Sequence, residues 1–230
     1  MSRLAGLIFD VDGTLAETEE LHRQAFNETF AAAGLTWHWD RPLYARLLEV
    51  TGGKERIRHY LASVSPSANL SDSDIASLHA AKTARYTALV EAGGIVLRPG
   101  IARLLWEAAG AGLKLAIATT TSRPNVDALL RAAPALPAFD AIAAGDEVAA
   151  KKPAPDVYHL ALQRLALPGE NCIAFEDTLN GLRSAQGAGL ACIVTKSMYG
   201  GDGPFSGALA VVEHLDARPV DLSRLADWRA

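Results

Sequence analysis

The stretch Leu4-Ala5-Gly6-Leu7-Ile8-Phe9-Asp10-Val11-Asp12-Gly13-Thr14 decides how the rest of the chain is read. A short aliphatic run that stops abruptly at acidic residues and a glycine is the pattern of a strand buried on both faces and ending at solvent. Similar runs recur at Leu113 to Thr119, Cys172 to Phe175 and Ala191 to Val194, with a weaker one from Phe139 to Ala143. Segments of helical period alternate with them: Ile101 to Ala109, one opened by Ser122 and Pro124, Asp156 to Leu165, and Asn180 to Ala188. This alternation predicts an α/β fold, a Rossmann-like doubly wound parallel sheet with helices on both faces.

The stretch after the first strand breaks that rhythm. From about Ala16 to Gly94 there is no convincing strand, only helical segments: Thr18 to Ala33 stopped by Gly34, a short one after Gly52-Gly53, and a long one after Ser71-Asp72-Ser73-Asp74. Glycine accepts the left-handed conformation past a helix end, and Ser or Asp side chains accept hydrogen bonds from the open N–H groups of a first turn. A small all-helical cap, residues 16–94, is therefore expected within a core made of residues 1–15 and 95–230. Ser63 to Ser73 reads as a loop, and the Gly-rich segment Met198 to Gly207 as a mobile one.

Composition narrows the function classes. Half of the 230 residues are hydrophobic, enough for one substantial core or a core with a smaller lobe. The net charge of -4, with no long run of Lys or Arg, excludes the footprint of a nucleic-acid binder and gives no support to membrane-surface binding. The apolar runs are too short to span a bilayer, and an acidic residue at position 10 comes too early for a secretory signal, so a cytoplasmic protein is expected. Cys172 and Cys192 lie inside apolar runs and are read as buried small hydrophobes, while Asn27 and Asn69 match Asn-x-Ser/Thr without a secretory context. No obligatory protein partner is evident.

Ligands of doubly wound sheets bind beyond the carboxyl ends of the strands, so the polar residues ending each run matter most. The first run ends in Asp10 and Asp12, the second in Thr119-Thr120-Thr121-Ser122 and the one from Cys172 in Glu176-Asp177, with Lys151-Lys152-Pro153 between the last two. Four carboxylates at one sheet edge repel one another, and a hard cation with oxygen ligands, Mg²⁺, is the natural compensation. A threonine hydroxyl and a lysine can hold phosphate oxygens. Asp10 and Asp12 are two apart at a strand end, so one can face a phosphorus while the other reaches the leaving oxygen. The reading is Asp10 as nucleophile, forming an aspartyl-phosphate, and Asp12 as acid and then base.

In order and spacing, Asp10-Val11-Asp12-Gly13-Thr14, Thr119, Lys152-Pro153 and Glu176-Asp177 resemble the four motifs of haloacid dehalogenase-type phosphotransferases, over nearly the whole chain. The resemblance implies Mg²⁺ held by Asp10, Asp12 through its carbonyl, Glu176 and Asp177, and it selects Lys152 over Lys151, because the family's lysine directly precedes the proline. The helical block looks like the small cap of the subgroup that includes phosphoglycolate phosphatase, β-phosphoglucomutase and the CbbY type. Glu17-Thr18-Glu19-Glu20-Leu21-His22-Arg23, Thr51-Gly52-Gly53-Lys54-Glu55-Arg56-Ile57 and Thr119-Thr120-Thr121-Ser122 are similar to segments of the CbbY type. That likeness implies a small phosphorylated sugar as substrate, xylulose-1,5-bisphosphate, contacted by Glu17, His22, Gly53, Lys54, Arg56, Thr119, Thr120, Ser122 and Lys152. Lys54 and Arg56 would reach a second, non-reacting phosphate when the cap closes.

Two other outcomes stay open at this point. A phosphomutase would use the same motifs, and His22 matches a histidine of β-phosphoglucomutase; a phosphatase of another small ester, such as phosphoglycolate, would differ only in the cap. A non-catalytic phospho-ligand binder is disfavoured because no core motif is broken. Gly52-Gly53-Lys54 is not a nucleotide loop, since no strand precedes it and the Gly-x-x-x-x-Gly-Lys-Ser/Thr frame is missing.

Overall fold

The buried run at the start of the chain becomes the third strand of a six-stranded sheet in a computed structural model that describes residues 4–63, 70–217 and 220–227. Asn69 and most of the loop expected between Ser63 and Ser73 lie outside the described residues. In chain order the strands are β1 (Gly6–Phe9), β2 (Lys114–Ala118), β3 (Ala141–Ala143), β4 (Cys172–Glu176), β5 (Ala191–Thr195) and β6 (Ala210–Val212). The helices are α1 (Glu19–Ala32), α2 (Arg41–Leu47), α3 (Gly53–Ser63), α4 (Asp72–Glu91), α5 (Ile101–Gly110), α6 (Arg123–Ala132), α7 (Asp156–Leu165), α8 (Leu179–Gly187) and α9 (Leu222–Asp227). The strand order is β3-β2-β1-β4-β5-β6 and every pairing is parallel. The chain thus switches direction beside β1, which puts a crevice at the carboxyl ends of β1, β2 and β4.

Alternation along the strands feeds two separate cores. Leu7 and Phe9 of β1, with Ile117, Ile173, Phe175 and Ile193, meet α5 and α6 on one face; Ile8, Ala118, Ala174 and Val194 meet Tyr158 of α7 and Leu182 of α8 on the other. Phe9 and Phe175, register partners on adjacent strands, stack with centroids 4.5 Å apart. Both cysteines are buried in the second of these cores.

Between β1 and α5 the described chain is helical, with an aromatic core of its own in which Phe26, Phe30, Trp37, Trp39, Tyr44 and Tyr60 interlock. Asn27 closes this core by exchanging hydrogen bonds with the backbone of Trp39, donating to its carbonyl and accepting from its N–H. A smaller cluster of Ala25, Tyr86 and Val90 joins the block to Ala128 of α6. Ala16 is bridged to both Asp12 and Leu97, so the chain enters and leaves the helical block at one place.

Three features depart from the expected elements. α2 was not anticipated: it has seven residues, but Asp40 caps it by accepting from the Leu43 N–H at 2.8 Å, and Pro42 opens it. β6 is a three-residue edge strand below the length at which periodicity can be read. α1 begins at Glu19, and Thr18 does not cap it: its backbone lies in the helical region rather than the extended one, and its hydroxyl donates to Asp12.

Candidate active site

Asp10 follows the last residue of β1, Thr119 follows β2, and Glu176 ends β4, so the sheet alone delivers three chemical groups to one edge. Asp177 follows Glu176, and carboxylate oxygens of Asp10, Glu176 and Asp177 all lie within 4.8 Å of one another in a buried setting. Two glycines keep this space open. Gly13 turns the chain with φ 77°, and a β carbon there or at Gly181 in the first turn of α8 would collide with the carboxylate of Asp177 or Glu176 respectively.

Lys152 is the counter-charge. Its Nζ donates to Asp10 Oδ1 at 2.6 Å, to Glu176 Oε1 at 2.6 Å and to the Ala118 carbonyl at 2.9 Å, while Tyr158 donates to the same Glu176 oxygen at 2.6 Å. Lys151 directs its amine to the carbonyls of Gly145 and Val148, away from the carboxylates. The charges of Asp10 and Glu176 hold Lys152 above the ordinary lysine value against the effect of burial. Burial lifts the Asp10 carboxyl to about 7, Lys152 opposing and Glu176 and Asp12 adding to the rise. Asp177 is pushed up by burial and then by the Asp10 and Glu176 charges. One lysine does not balance this cluster. An all-oxygen donor set carrying uncompensated negative charge fits a hard divalent cation.

Asp12 stands apart from that cluster, facing the helical block. Its Oδ1 accepts from Thr18 and, at 3.0 Å, from His22 Nε2; His22 Nδ1 in turn accepts from Lys82 Nζ at 2.6 Å. With Lys82 protonated this arrangement assigns His22 as neutral with its proton on Nε2, in keeping with the lowering of its pKa by burial and by Lys82. Burial favours the protonated Asp12, yet the interactions with His22, Thr18 and Lys82 prevail and hold it down at about 2. His22 is fixed further by stacking on Tyr86 at 3.9 Å.

A cavity of about 980 Å³ lies over the sheet edge, between it and α1 to α4. It is lined by Asp10, Asp12, Thr119, Lys152, Glu176 and Asp177 from below and by His22, Gly53, Lys54 and Arg56 from above, with Thr120 and Ser122 at the side. Thr119 Oγ1 accepts from the Thr121 N–H at 3.2 Å, which leaves its own proton to donate. Lys54 is exposed to the cavity, whereas Arg56 is buried, donating to the Leu47 carbonyl and to Tyr44 Oη. Glu17 does not line the cavity; its carboxylate pairs with Arg98.

Within residues 17–23 the carboxylate that faces the cavity is Glu19, which accepts from Tyr44 Oη at 2.7 Å. Helical spacing carried a signal for it, since positions 19 and 22 share a face. Lys82 and His79, also in the lining, had none: they arrive from α4, about sixty residues along the chain. A second hollow of about 720 Å³ between α1 and α4, lined by Leu35, Leu78 and Ala81 among others, holds none of these groups.

Known proteins resemble this chain in sequence and in fold. The CbbY protein of Cereibacter sphaeroides is 57% identical over 208 residues, covering 89% of this chain and 90% of its own; that of Rhodobacter capsulatus is 54% identical over 226 residues, covering 97% and 96%. A crystal structure of a CbbY mutant from Rhodobacter sphaeroides in complex with xylulose-1,5-bisphosphate superposes with a TM-score of 0.91 at 53% identity, over 96% of this chain and 99% of that one. Residues 4–189, which include Asp10, Asp12, Thr119, Lys152, Glu176 and Asp177, match the haloacid dehalogenase-like hydrolase model. On sequence, fold and the placement of its acidic strand ends, the chain belongs to the haloacid dehalogenase-like hydrolases.

Proposed function

We propose that this phosphatase hydrolyses xylulose-1,5-bisphosphate in a Mg²⁺-dependent reaction, with Asp10 as nucleophile and Asp12 as acid and base. The observation that carries the chemistry is the pair of strand-end aspartates in different settings: Asp10 beside Lys152 and the acidic pair, Asp12 held by Thr18 and His22. The solved complex of the similar CbbY protein supports the substrate.

In the first step an Asp10 oxygen bonds to phosphorus, the bond to the sugar oxygen breaks, and Asp12 gives its proton to the departing alkoxide. In the second, Asp12 takes a proton from water, which attacks the aspartyl-phosphate and releases phosphate and the free Asp10 carboxylate. The low pKa of Asp12 suits the second role, in which it is ionised, whereas the first needs the protonated form that its burial favours. Thr119 donates to a phosphoryl oxygen, and Lys152, whose three N–H groups are held by Asp10, Glu176 and the Ala118 carbonyl, does so when the Asp10 oxygen turns to phosphorus. Asp10, Glu176, Asp177 and the Asp12 carbonyl would hold Mg²⁺, which when bound neutralises charge on the phosphoryl group and on the carboxylates around it.

The helical block, residues 16–94, acts as a cap on a core of residues 1–15 and 95–230. His22, Gly53, Thr120 and Ser122 border the sugar, and Glu19 supplies the acceptor first sought at Glu17. Lys54 is the better partner for the distant phosphate, because Arg56 is already engaged. Among the described residues no helix is long and apolar enough to cross a membrane, and the cytoplasm is the proposed location.

Steady-state turnover of sugar mono- and bisphosphates tests this reading. Xylulose-1,5-bisphosphate should lead ribulose-1,5-bisphosphate, phosphoglycolate and β-glucose-1-phosphate by more than tenfold, about 1.4 kcal/mol of transition-state discrimination. Asp10→Asn should abolish phosphate release. An isomeric sugar phosphate with little free phosphate would replace the phosphatase by a mutase.

A further inference from the structure

The segment after β5 leaves the sheet at Lys196 and reaches across to the helical block. Ser197 donates to Asp177 Oδ2 at 2.6 Å, and a β carbon at Gly200 would run into the Asp177 carbonyl, so both flanks of Tyr199 are seated against the acidic strand end. Tyr199 itself, in the lining of the cavity, turns toward the helical block. Its hydroxyl donates to Glu20 of α1, an oxygen pair that also accepts from Arg23 and is bridged to Arg41 at 3.2 Å. The Tyr199 ring meets Tyr44 of α2 edge to face, with centroids 5.7 Å apart. Tyr44 is the residue that holds Glu19 and receives Arg56, two groups lining the cavity. Other contacts also join the core to the helical block, among them Thr51 Oγ1 to the Lys152 carbonyl, Asn180 Nδ2 to the Glu49 carbonyl at 3.1 Å, and Asp12 to Thr18 and His22, but none of these is made by Tyr44 or Tyr199.

We propose that Tyr199 is a positioning residue, a latch through which the core holds the helical block closed and sets Tyr44, and with it Glu19, against the bound sugar phosphate. The inference rests on the proposed sugar bisphosphatase reading. Its physical basis is that one side chain bonds to a charged cluster on α1 and packs on the ring that fixes the cavity carboxylate. Glu20 is drawn to about 2 by Arg23, Tyr199 and Arg41 against the effect of its burial, so it stays an ionised acceptor at any working pH.

Tyr199→Phe removes the hydroxyl and keeps the ring. For xylulose-1,5-bisphosphate it should lower kcat/KM about three- to tenfold, mostly through KM, the worth of one hydrogen bond in a closing equilibrium. Turnover of p-nitrophenyl phosphate, whose leaving group needs neither proton donor nor sugar contacts, should stay within about twofold. Glu20→Gln should give the same pattern, and the double variant should lose no more than the larger single loss. Closure is read separately from spin labels on cysteines introduced at exposed Ser77 and Ala150, with Mg²⁺ and inorganic phosphate present. The wild type should give one short distance, and Tyr199→Phe a second, longer one.

Equal losses on both substrates, additive losses in the double variant, or label distances unchanged by Tyr199→Phe would each overturn the latch. Failure of the wild type to hydrolyse xylulose-1,5-bisphosphate would remove the substrate reading instead, and the label distances would still decide the latch.

Discussion

At the residue scale, two buried lysines show how surroundings turn one side chain to opposite ends. Lys152 sits between two carboxylates, and Lys82 sits against His22 and the faces of Phe26 and Tyr86. Lys152→Met would leave Asp10 and Glu176 buried without their cation. We expect a loss of about 3–5 kcal/mol in urea denaturation without Mg²⁺, shrinking as pH falls from 8 to 5 and the carboxylates take up protons. Burial lowers Lys82 from 10.5 to about 7. Between those values the unfolded chain binds more protons than the folded one, so this lysine makes stability rise with pH across that window. Lys82→Met should therefore raise the denaturation midpoint most near pH 6–7, the advantage fading toward pH 10; parallel pH profiles for the two proteins would refute it. The carboxylates, Thr119 and Lys152 were legible because each stands at a strand end or before a proline. Glu17, expected at the sugar, pairs with Arg98 while Glu19 lines the cavity, a choice that an acidic run does not reveal, and Lys82 was invisible because only the packing of α4 on α1 brings it to His22.

At the element scale, α4 illustrates a start that is fully local. Ser71 Oγ accepts from the Asp74 N–H at 3.2 Å, and Asp74 Oδ2 accepts from the Ser71 N–H at 2.8 Å, a reciprocal box legible as Ser-x-x-Asp. Ser71→Ala should cost about 1 kcal/mol in thermal or urea unfolding and leave kcat/KM unchanged, because the box is exposed and lies outside the cavity lining. The long helices and strands β1 to β5 could be read because their periodicity runs for several residues or they are built on unbroken apolar runs. α2 and β6 could not, being too short to show a period. The segment from Met198 to Gly207 was read as mobile from its glycines, yet Tyr199 within it is held at both ring and hydroxyl.

At the scale of the whole molecule, the acidic edge makes folding and ion binding one problem. Mutual repulsion of Asp10, Glu176 and Asp177 weakens the metal-free protein, and a cation that binds only the folded chain stabilises it by mass action. Mg²⁺ at a hundredfold excess over its Kd should add about 2.7 kcal/mol, a rise of several degrees in Tm. The rise should diminish as pH drops and protons compete for the carboxylates. Asp177→Asn should remove most of it; an identical Mg²⁺ response in that variant would exclude Asp177 as a ligand.

The bridges that join Ala16 to both Asp12 and Leu97 have a further consequence. Because the two connections of the helical block meet there, the sheet treats the residues between them much as it would a surface insertion. Joining Ala16 to Leu97 by a short turn would leave every strand pairing in place, exposing chiefly Ala128 and its neighbours on α6. The fold thus divides the labour unevenly: the strand ends are tied to one another through the sheet, while the material threaded through this doorway can alter which molecule is admitted only so long as the chain of Thr18, His22 and Lys82 that holds Asp12 is kept.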